Sequence, residues 1–234
     1  MLSHPFVQKF APASTLPDRL PADPFHIFHD WYREAHDRKV QPNPNAMSLA
    51  TIDADGFPSV RIVLCRGMDL GKGYLTFYTN YNGRKGRALA GNPRACVNFH
   101  WDALDRQVRI EGLVVRSPAA ESDEYFETRP WANRLSAWFS DQSQPIGSRE
   151  ELLHKAAARL RELGITEQQL LEQGDRVRIP RPPHWGGLRI WARSVELWLG
   201  GLGRFHDRAV WTRSLEAAGA DFSVAAWAAT RLQP

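Results

Sequence analysis

Arg61 and Arg66 bracket the apolar run Ile62-Val63-Leu64-Cys65, and a second cationic pair, Arg84-Lys85, follows the strand-like Tyr74-Leu75-Thr76-Phe77-Tyr78-Thr79 across an Asn82-Gly83 turn. Guanidinium forks match phosphate oxygens two at a time, and a helix N-terminus adds N–H donors that the helix itself does not use. Four cations delivered by one hairpin and one helix start therefore make a candidate phosphate cradle. Gln107, Tyr125, Arg129, Gln142, Ser143, Arg204, His206 and Arg208 are further residues able to meet a polar ligand, a set that composition alone would not select. Taken singly, each reads equally well as a solvated strand end.

The remaining composition narrows the ligand. The chain has 234 residues, 30 Lys and Arg against 26 Asp and Glu, and a net charge of +4 spread without any Lys/Arg-rich run. Dispersed charge of that size favours a small phosphorylated molecule over nucleic acid. No apolar run approaches a membrane span, the N-terminus lacks the layout of a secretory signal, and two cysteines are too few for a disulfide framework, so a cytoplasmic protein is expected. The eight histidines do not pair at ligand spacing with one another or with the cysteines, and no metal is expected. Nucleophile-elbow, Walker and dinucleotide-fingerprint motifs are absent from the sequence.

The elements that must carry these residues can be read from local pattern. Residues 1–22 hold four prolines without a period and read as a partly ordered arm; residues 23–234 read as a single domain. Asp23-Pro24 opens a helix whose Phe25, Phe28, Tyr32 and Ala35 share a face and which ends near Arg38. Strands are expected at Ala46–Ile52, 60–66, 74–79, 95–101 and Arg106–Arg116, with Gly112 marking a bulge, and a short helix between Arg84 and Asn92-Pro93. Helices follow at 119–128 and 133–139, then a capped helix from Ser148 to about Leu163 and a shorter one at Thr166. After a proline-stiffened connector at 179–183, strands return at 187–191, 195–199, 209–213 and 222–227. Successive antiparallel strands without crossover helices predict a mainly β, α+β arrangement built on a closed or half-closed barrel.

Blocks of sequence in the same order resemble the pyridoxine/pyridoxamine 5′-phosphate oxidase family. They are Arg61-Ile62-Val63-Leu64, Phe77-Tyr78-Thr79-Asn80, Arg84-Lys85, Arg106-Gln107-Val108 with Glu111-Gly112, Tyr125-Phe126 with Arg129-Pro130, Gln142-Ser143, Trp185-Gly186-Gly187, and Glu196-Leu197-Trp198 with Arg204-Phe205-His206-Asp207-Arg208. The resemblance implies a six-stranded antiparallel split β-barrel that binds FMN, a homodimer with FMN at the subunit interface, and oxidation of pyridoxamine and pyridoxine 5′-phosphates to pyridoxal 5′-phosphate with O2 reduced to hydrogen peroxide. It places FMN contacts on Arg61, Ile62, Val63, Leu64, Tyr78, Thr79, Arg84, Lys85, Gln107, Gln142, Ser143, Trp198 and Arg208. No Cys or His stands where the family uses a covalent link, so the FMN is expected to be non-covalent.

The resemblance also places substrate contacts on Arg66, Tyr125, Arg129 and Asn133, and puts Arg204 and His206 over the substrate ring as catalytic groups. Arg204-Phe205-His206 reads as strand, which would put both on one face. Four departures accompany the match: Arg66 for the usual Lys, Asn133 for Ser, Gly83 for Ser, and Arg134-Leu135-Ser136 for Gln-Ile-Gly. These leave two alternatives beside the vitamin-phosphate oxidase: a related split-barrel oxidase acting on another aromatic substrate, as in phenazine biosynthesis, and a non-catalytic protein that holds FMN or pyridoxal phosphate.

Overall fold

A computed structural model describes residues 14–234 of the chain. In chain order its elements are α1 (Phe25–Asp37), β1 (Ala46–Ile52), β2 (Pro58–Leu64), β3 (Gly67–Asp69), β4 (Tyr74–Asn80), α2 (Arg84–Gly91), β5 (Arg94–Trp101), β6 (Arg106–Arg116), α3 (Ala119–Glu127), α4 (Trp131–Phe139), α5 (Arg149–Glu162), α6 (Glu167–Gln173), β7 (Trp185–Leu199), β8 (Asp207–Thr212), β9 (Leu215–Ala218), β10 (Asp221–Val224) and β11 (Ala228–Leu232).

The long strand β7 organises the sheet. It pairs with β6 along its length, with β4 through residues 185–191 and with β8 through residues 194–199, so that β2, β1, β5, β6, β7 and β4 follow one another in antiparallel order. β2 and β4 then come together without a ladder between them, and this seam is the split in the barrel. The strand expected as two pieces, 187–191 and 195–199, is continuous because a bulge absorbs the break in alternation: Glu111 faces Ser194 while Gly112 faces Ala192, and Arg193 is left over and exposed. Glycine is required at 112, since a Cβ there would lie 2.1 Å from the Trp191 carbonyl oxygen.

Alternation fixes which faces are inside. Met47, Leu49, Val97, Phe99, Trp101, Val108, Ile110, Val195 and Leu197 point into one apolar core, and α1 closes the core by laying Phe25, Phe28 and Ala35 on it. Phe28 stacks near Phe99 and Trp101, with ring centroids 5.2 and 6.5 Å away. Asp23 Oδ1 accepts the Phe25 N–H at 2.7 Å, but the helix begins one residue later than expected, with Pro24 at the N-cap in place of Asp23. A second apolar cluster, with Phe126, Leu135, Leu170, Val177, Ile179 and Trp185, packs the helices α3 to α6 against one end of β7.

Three further expectations change. The reciprocal cap at Ser148 is half made: Ser148 accepts the Glu151 N–H, but Glu151 accepts the Gly147 N–H, whereas Thr166 and Gln169 complete the exchange. The strand expected at 222–227 is Asp221–Val224, paired only with β9, and the chain pairs again with β8 through β11, which carries too few apolar residues to read as a strand. The stretch expected to hold Arg204 and His206 on one strand face is a 3-10 turn, Leu202–Arg204, and β8 begins only at Asp207. Of the amino-terminal arm, residues 1–13 lie outside the described residues; Leu16 is buried, its N–H donates to Asp207 Oδ2 at 2.7 Å, and Arg231 Nη2 donates to its carbonyl at 3.1 Å.

Candidate functional site

A cavity of about 560 Å³ opens along the seam between β2 and β4. Ile62, Val63 and Leu64 form one wall, Tyr78, Thr79 and Asn80 the other, and α3, α4 and the loop after α4 roof it with Tyr125, Arg129, Asn133, Ser136 and Gln142. A split rather than a closed barrel is what makes this space, because two strands that approach without a ladder leave their side chains free to face a ligand.

The four cations of the sequence cradle divide into two groups. Arg61, Arg84 and Lys85 gather at the start of α2, where Asp53 acts on Arg61 and Arg84, Asp55 acts on Arg84, and Lys85 feels the Arg61 charge. Arg84 donates from Nε to Asp53 Oδ2 at 2.7 Å and remains exposed. Arg61 is held by its own sheet, with Nη1 donating to Thr51 Oγ1 at 2.7 Å and to the Leu49 carbonyl at 3.2 Å, and Nη2 to Ser59 Oγ at 2.9 Å. Lys85 is the member of this group that lines the cavity; burial, and then the neighbouring Arg61 charge, push its pKa below the ordinary lysine value. Its ammonium donates to Gln142 Oε1 at 2.5 Å. Gln142 reaches it because Asn80 Nδ2 holds the Ser140 carbonyl at 3.3 Å and because residue 83 is glycine: a Cβ there would stand 2.7 Å from Gln142 Oε1.

Arg66 lies beyond the end of β2, close enough to Arg129 for the two charges to repel. Burial and the Arg66 charge both push the Arg129 pKa down, while Tyr125 works against them. Arg129 Nη1 is buried and has no hydrogen-bond partner among the described residues. Two cations close together, one with an unused buried donor, are an arrangement chemically suited to an anion. Beside them three rings lie nearly parallel: Tyr78 and Tyr125 with centroids 3.8 Å apart, and Trp185 at 5.5 Å from Tyr78. Burial pushes the Tyr78 phenol up to about 12, so at neutral pH it remains a donor.

The other residues expected at the site stand elsewhere on the sheet. Gln107, Trp198 and Arg208 occupy facing positions on β6, β7 and β8, and Gln107 Oε1 accepts from Asn98 at 3.3 Å. Arg208 is bound to the buried Glu196, which also holds Arg109 Nη2 at 2.6 Å. His206 packs on Trp198 with ring centroids 4.6 Å apart and accepts the Gly201 N–H at Nδ1, while Arg204 is exposed and sits at φ 67°. Ser143 is exposed beside Gln142. None of Gln107, Trp198, Arg204, His206 and Arg208 lines the β2–β4 cavity. Local reading missed Ser136 and Trp185 as cavity residues; the Trp185-Gly186-Gly187 block was visible, but its meaning depends on what β7 packs against.

A family model described as pyridoxamine 5′-phosphate oxidase matches residues 33–163, and one described as the pyridoxine 5′-phosphate oxidase C-terminal dimerisation region matches residues 185–234. The pyridoxine/pyridoxamine 5′-phosphate oxidases of Paraburkholderia phytofirmans and Burkholderia cenocepacia are 46% and 45% identical over 212 residues, 91% of this chain and 89% of each relative. Among solved structures, PhzG from Burkholderia lata 383, in complex with tetrahydrophenazine-1-carboxylic acid, superposes with a TM-score of 0.76 at 29% identity over 95% of this chain and 99% of that one. A pyridoxamine 5′-phosphate oxidase-related, FMN-binding protein of Nostoc punctiforme shares the fold, with a TM-score of 0.65 at 16% identity over 92% of this chain and 100% of that one.

Proposed function

The chain belongs to the pyridoxamine 5′-phosphate oxidase family, whose cofactor is FMN, and from that premise we propose that it oxidises pyridoxamine and pyridoxine 5′-phosphates to pyridoxal 5′-phosphate. The observation that carries the reading is one cavity with two separate cationic groups, Lys85 with Arg61 and Arg66 with Arg129. Two anions in one site fit a cofactor phosphate of about −1.5 to −2 charge and a substrate phosphate of similar charge.

The residues present fit FMN. Arg61, Arg84 and Lys85 at the start of α2, set against Asp53 and Asp55, leave net positive charge for its phosphate, and Lys85 and Gln142 stand where hydrogen bonds to it can form. Bound FMN would supply the two-electron acceptor and the route to O2, yielding hydrogen peroxide. Arg66 and Arg129 bind the substrate phosphate, and Tyr125 and Asn133 border it. This orients the ring so that its 4′ carbon meets the cofactor, a contribution of position more than of acid–base chemistry.

Gln107, Trp198, Arg204, His206 and Arg208 complete the site from a second subunit. They fall on β6 or within residues 185–234, the stretch that matches a dimerisation region, and away from the cavity of their own chain. Val60 and Ile62, 64% and 63% exposed on β2, continue the cavity rim as an apolar strip of the kind a homodimer covers. Arg204 then orients the substrate and stabilises developing charge, and His206 meets the polar edge of its ring.

A second reading, oxidation of another aromatic substrate, draws on the similarity to PhzG and on Asn133 and Ser136, two polar side chains at the cavity wall. Peroxide production by the FMN-loaded enzyme with pyridoxamine 5′-phosphate, pyridoxine 5′-phosphate and a reduced phenazine carboxylate separates the two. Turnover of the phenazine alone removes the vitamin-phosphate reading; no peroxide with any of the three removes both.

A further inference from the structure

The Trp185-Gly186-Gly187 block has no role in the reading above, yet its register against β4 is specific. Gly187 pairs with Tyr78, Gly186 with Thr79 and Trp185 with Asn80. A Cβ on Gly187 would stand 3.0 Å from Tyr78 Cε1 and 2.6 Å from Ser117 Oγ, and one on Gly186 would stand 2.1 Å from the Tyr81 hydroxyl. The two glycines thus let the Tyr78 and Tyr81 side chains lie against the backbone of β7. With Tyr78 flat in that place, Trp185 follows at an interplanar angle of 13°, Tyr125 lies within 6° of Trp185, and Phe126 closes the indole edge-on at 5.1 Å. The indole is fixed by neighbours on two elements.

What this fixed ring carries is Arg129. Its Cζ stands 4.5 Å from the Trp185 centroid and 5.5 Å from that of Phe126, and the guanidinium retains one buried N–H group without a partner. A guanidinium stacked on an indole keeps its in-plane donors free, because the ring face takes up its charge and leaves its edges for hydrogen bonds. We propose that Trp185 is a positioning residue for the anion seat: its indole face presents the Arg129 fork, against the repulsion of Arg66, so that the unused donor meets the phosphate of the substrate. The inference rests on the substrate-phosphate reading of Arg129 and adds a residue that the family resemblance did not assign a role.

The test is a double-mutant cycle in the FMN-loaded protein, with Trp185→Leu, Arg129→Ala and the pair. Binding is read twice: as KM and kcat for pyridoxamine 5′-phosphate, and by equilibrium dialysis of labelled inorganic phosphate, with flavin content checked by absorbance. Trp185→Leu is expected to raise KM and the phosphate dissociation constant about tenfold with kcat within twofold, and to add less than twofold once Arg129 is alanine. Trp185→Phe, which keeps an aromatic face with a weaker quadrupole, is expected to recover most of the affinity, and Trp185→Met, which fills the space without a ring face, gives the same cycle should the leucine variant not fold. An equal loss with and without Arg129, or no loss at all, overturns the proposal. Coupling seen with inorganic phosphate in a protein inert to the vitamin phosphate would overturn the substrate reading and leave the positioning role standing.

Discussion

Lys85 Nζ donates to Gln142 Oε1 at 2.5 Å, tying the first turn of α2 to a loop 57 residues later in the chain. The amide is a neutral partner, so this contact holds the ammonium in place without cancelling its charge. Burial and Arg61 already lower the lysine pKa, and the charge of a bound anion offsets both.

Replacing Lys85 by Met is expected to weaken FMN binding about ten- to hundredfold, the worth of one charge-assisted hydrogen bond of about 1.5–3 kcal/mol. The pH dependence has a definite sign. The lysine pKa is depressed in the free protein and rises in the complex, so affinity is full below the free-state value and falls as pH climbs from there towards the bound-state value. Fluorescence titration of apoprotein above neutral pH, where the cofactor phosphate is fully ionised, should show this fall in the wild type and a flat profile in Lys85→Met. A parallel fall in both would assign the proton to another group.

Glu196 is buried near the C-terminal end of β7 and holds Arg208 through Nε at 2.9 Å and Nη2 at 2.6 Å, with Arg109 on its other oxygen. Glu196→Ala strips two guanidinium groups of their shared carboxylate, leaving Arg109 the more distant Glu111 at 3.8 Å. One of them, Arg109, is open enough to rehydrate, so the expected loss is about 2–4 kcal/mol, near the lower end for a broken buried pair. Thermal unfolding of the variant should show a clearly lowered midpoint; an unchanged midpoint would mean that neither arginine depends on the carboxylate.

Where alternation and local capping decide the structure, the sequence was readable. β1 and β6 begin and end where the pattern says, Gly112 marks the bulge, and the helix start at Thr166 follows from short-range hydrogen bonds. What stayed hidden depends on contacts between distant residues. That Arg61 is bound by Thr51 and Ser59 and Arg84 by Asp53 follows from the β1–β2 pairing and the approach of α2, which no single segment encodes. Arg204-Phe205-His206 alternates like a strand, yet Gly203, at φ 63°, lets the chain turn there, and backbone freedom outweighs pattern. Trp185 belongs to a family-like block with no role of its own until Arg129 is found on its face.

A two-fold pairing that covers Val60 and Ile62 makes a specific demand on β2. Val60→Asp would place a carboxylate in an apolar contact, a cost of several kcal/mol for an unpaired charge. Sedimentation velocity at micromolar concentration should find the wild type dimeric and Val60→Asp largely monomeric. Because dimer and cofactor stabilise each other by linkage when they share a site, flavin should dissociate more readily from the variant. A Val60→Asp dimer with normal flavin content would move the interface off β2.

Arg129 and Arg204 should fail in different ways when removed. Arg129 is stacked on Trp185 within the cavity, and a phosphate bound there is held equally in the ground state and the transition state. Arg129→Ala is therefore expected to raise KM for pyridoxamine 5′-phosphate about ten- to hundredfold with little change in kcat. Arg204 is exposed in its own chain at φ 67°, a conformation that glycine adopts freely, so Arg204→Gly removes the side chain without straining the turn. If this side chain crosses to the neighbouring subunit's cavity and stabilises charge that develops during oxidation, Arg204→Gly should lower kcat about tenfold or more while FMN stays bound. Steady-state kinetics with flavin content measured alongside decides it: a wild-type kcat in Arg204→Gly defeats the catalytic role of Arg204, and a fall in kcat with unchanged KM in Arg129→Ala would exchange the two assignments.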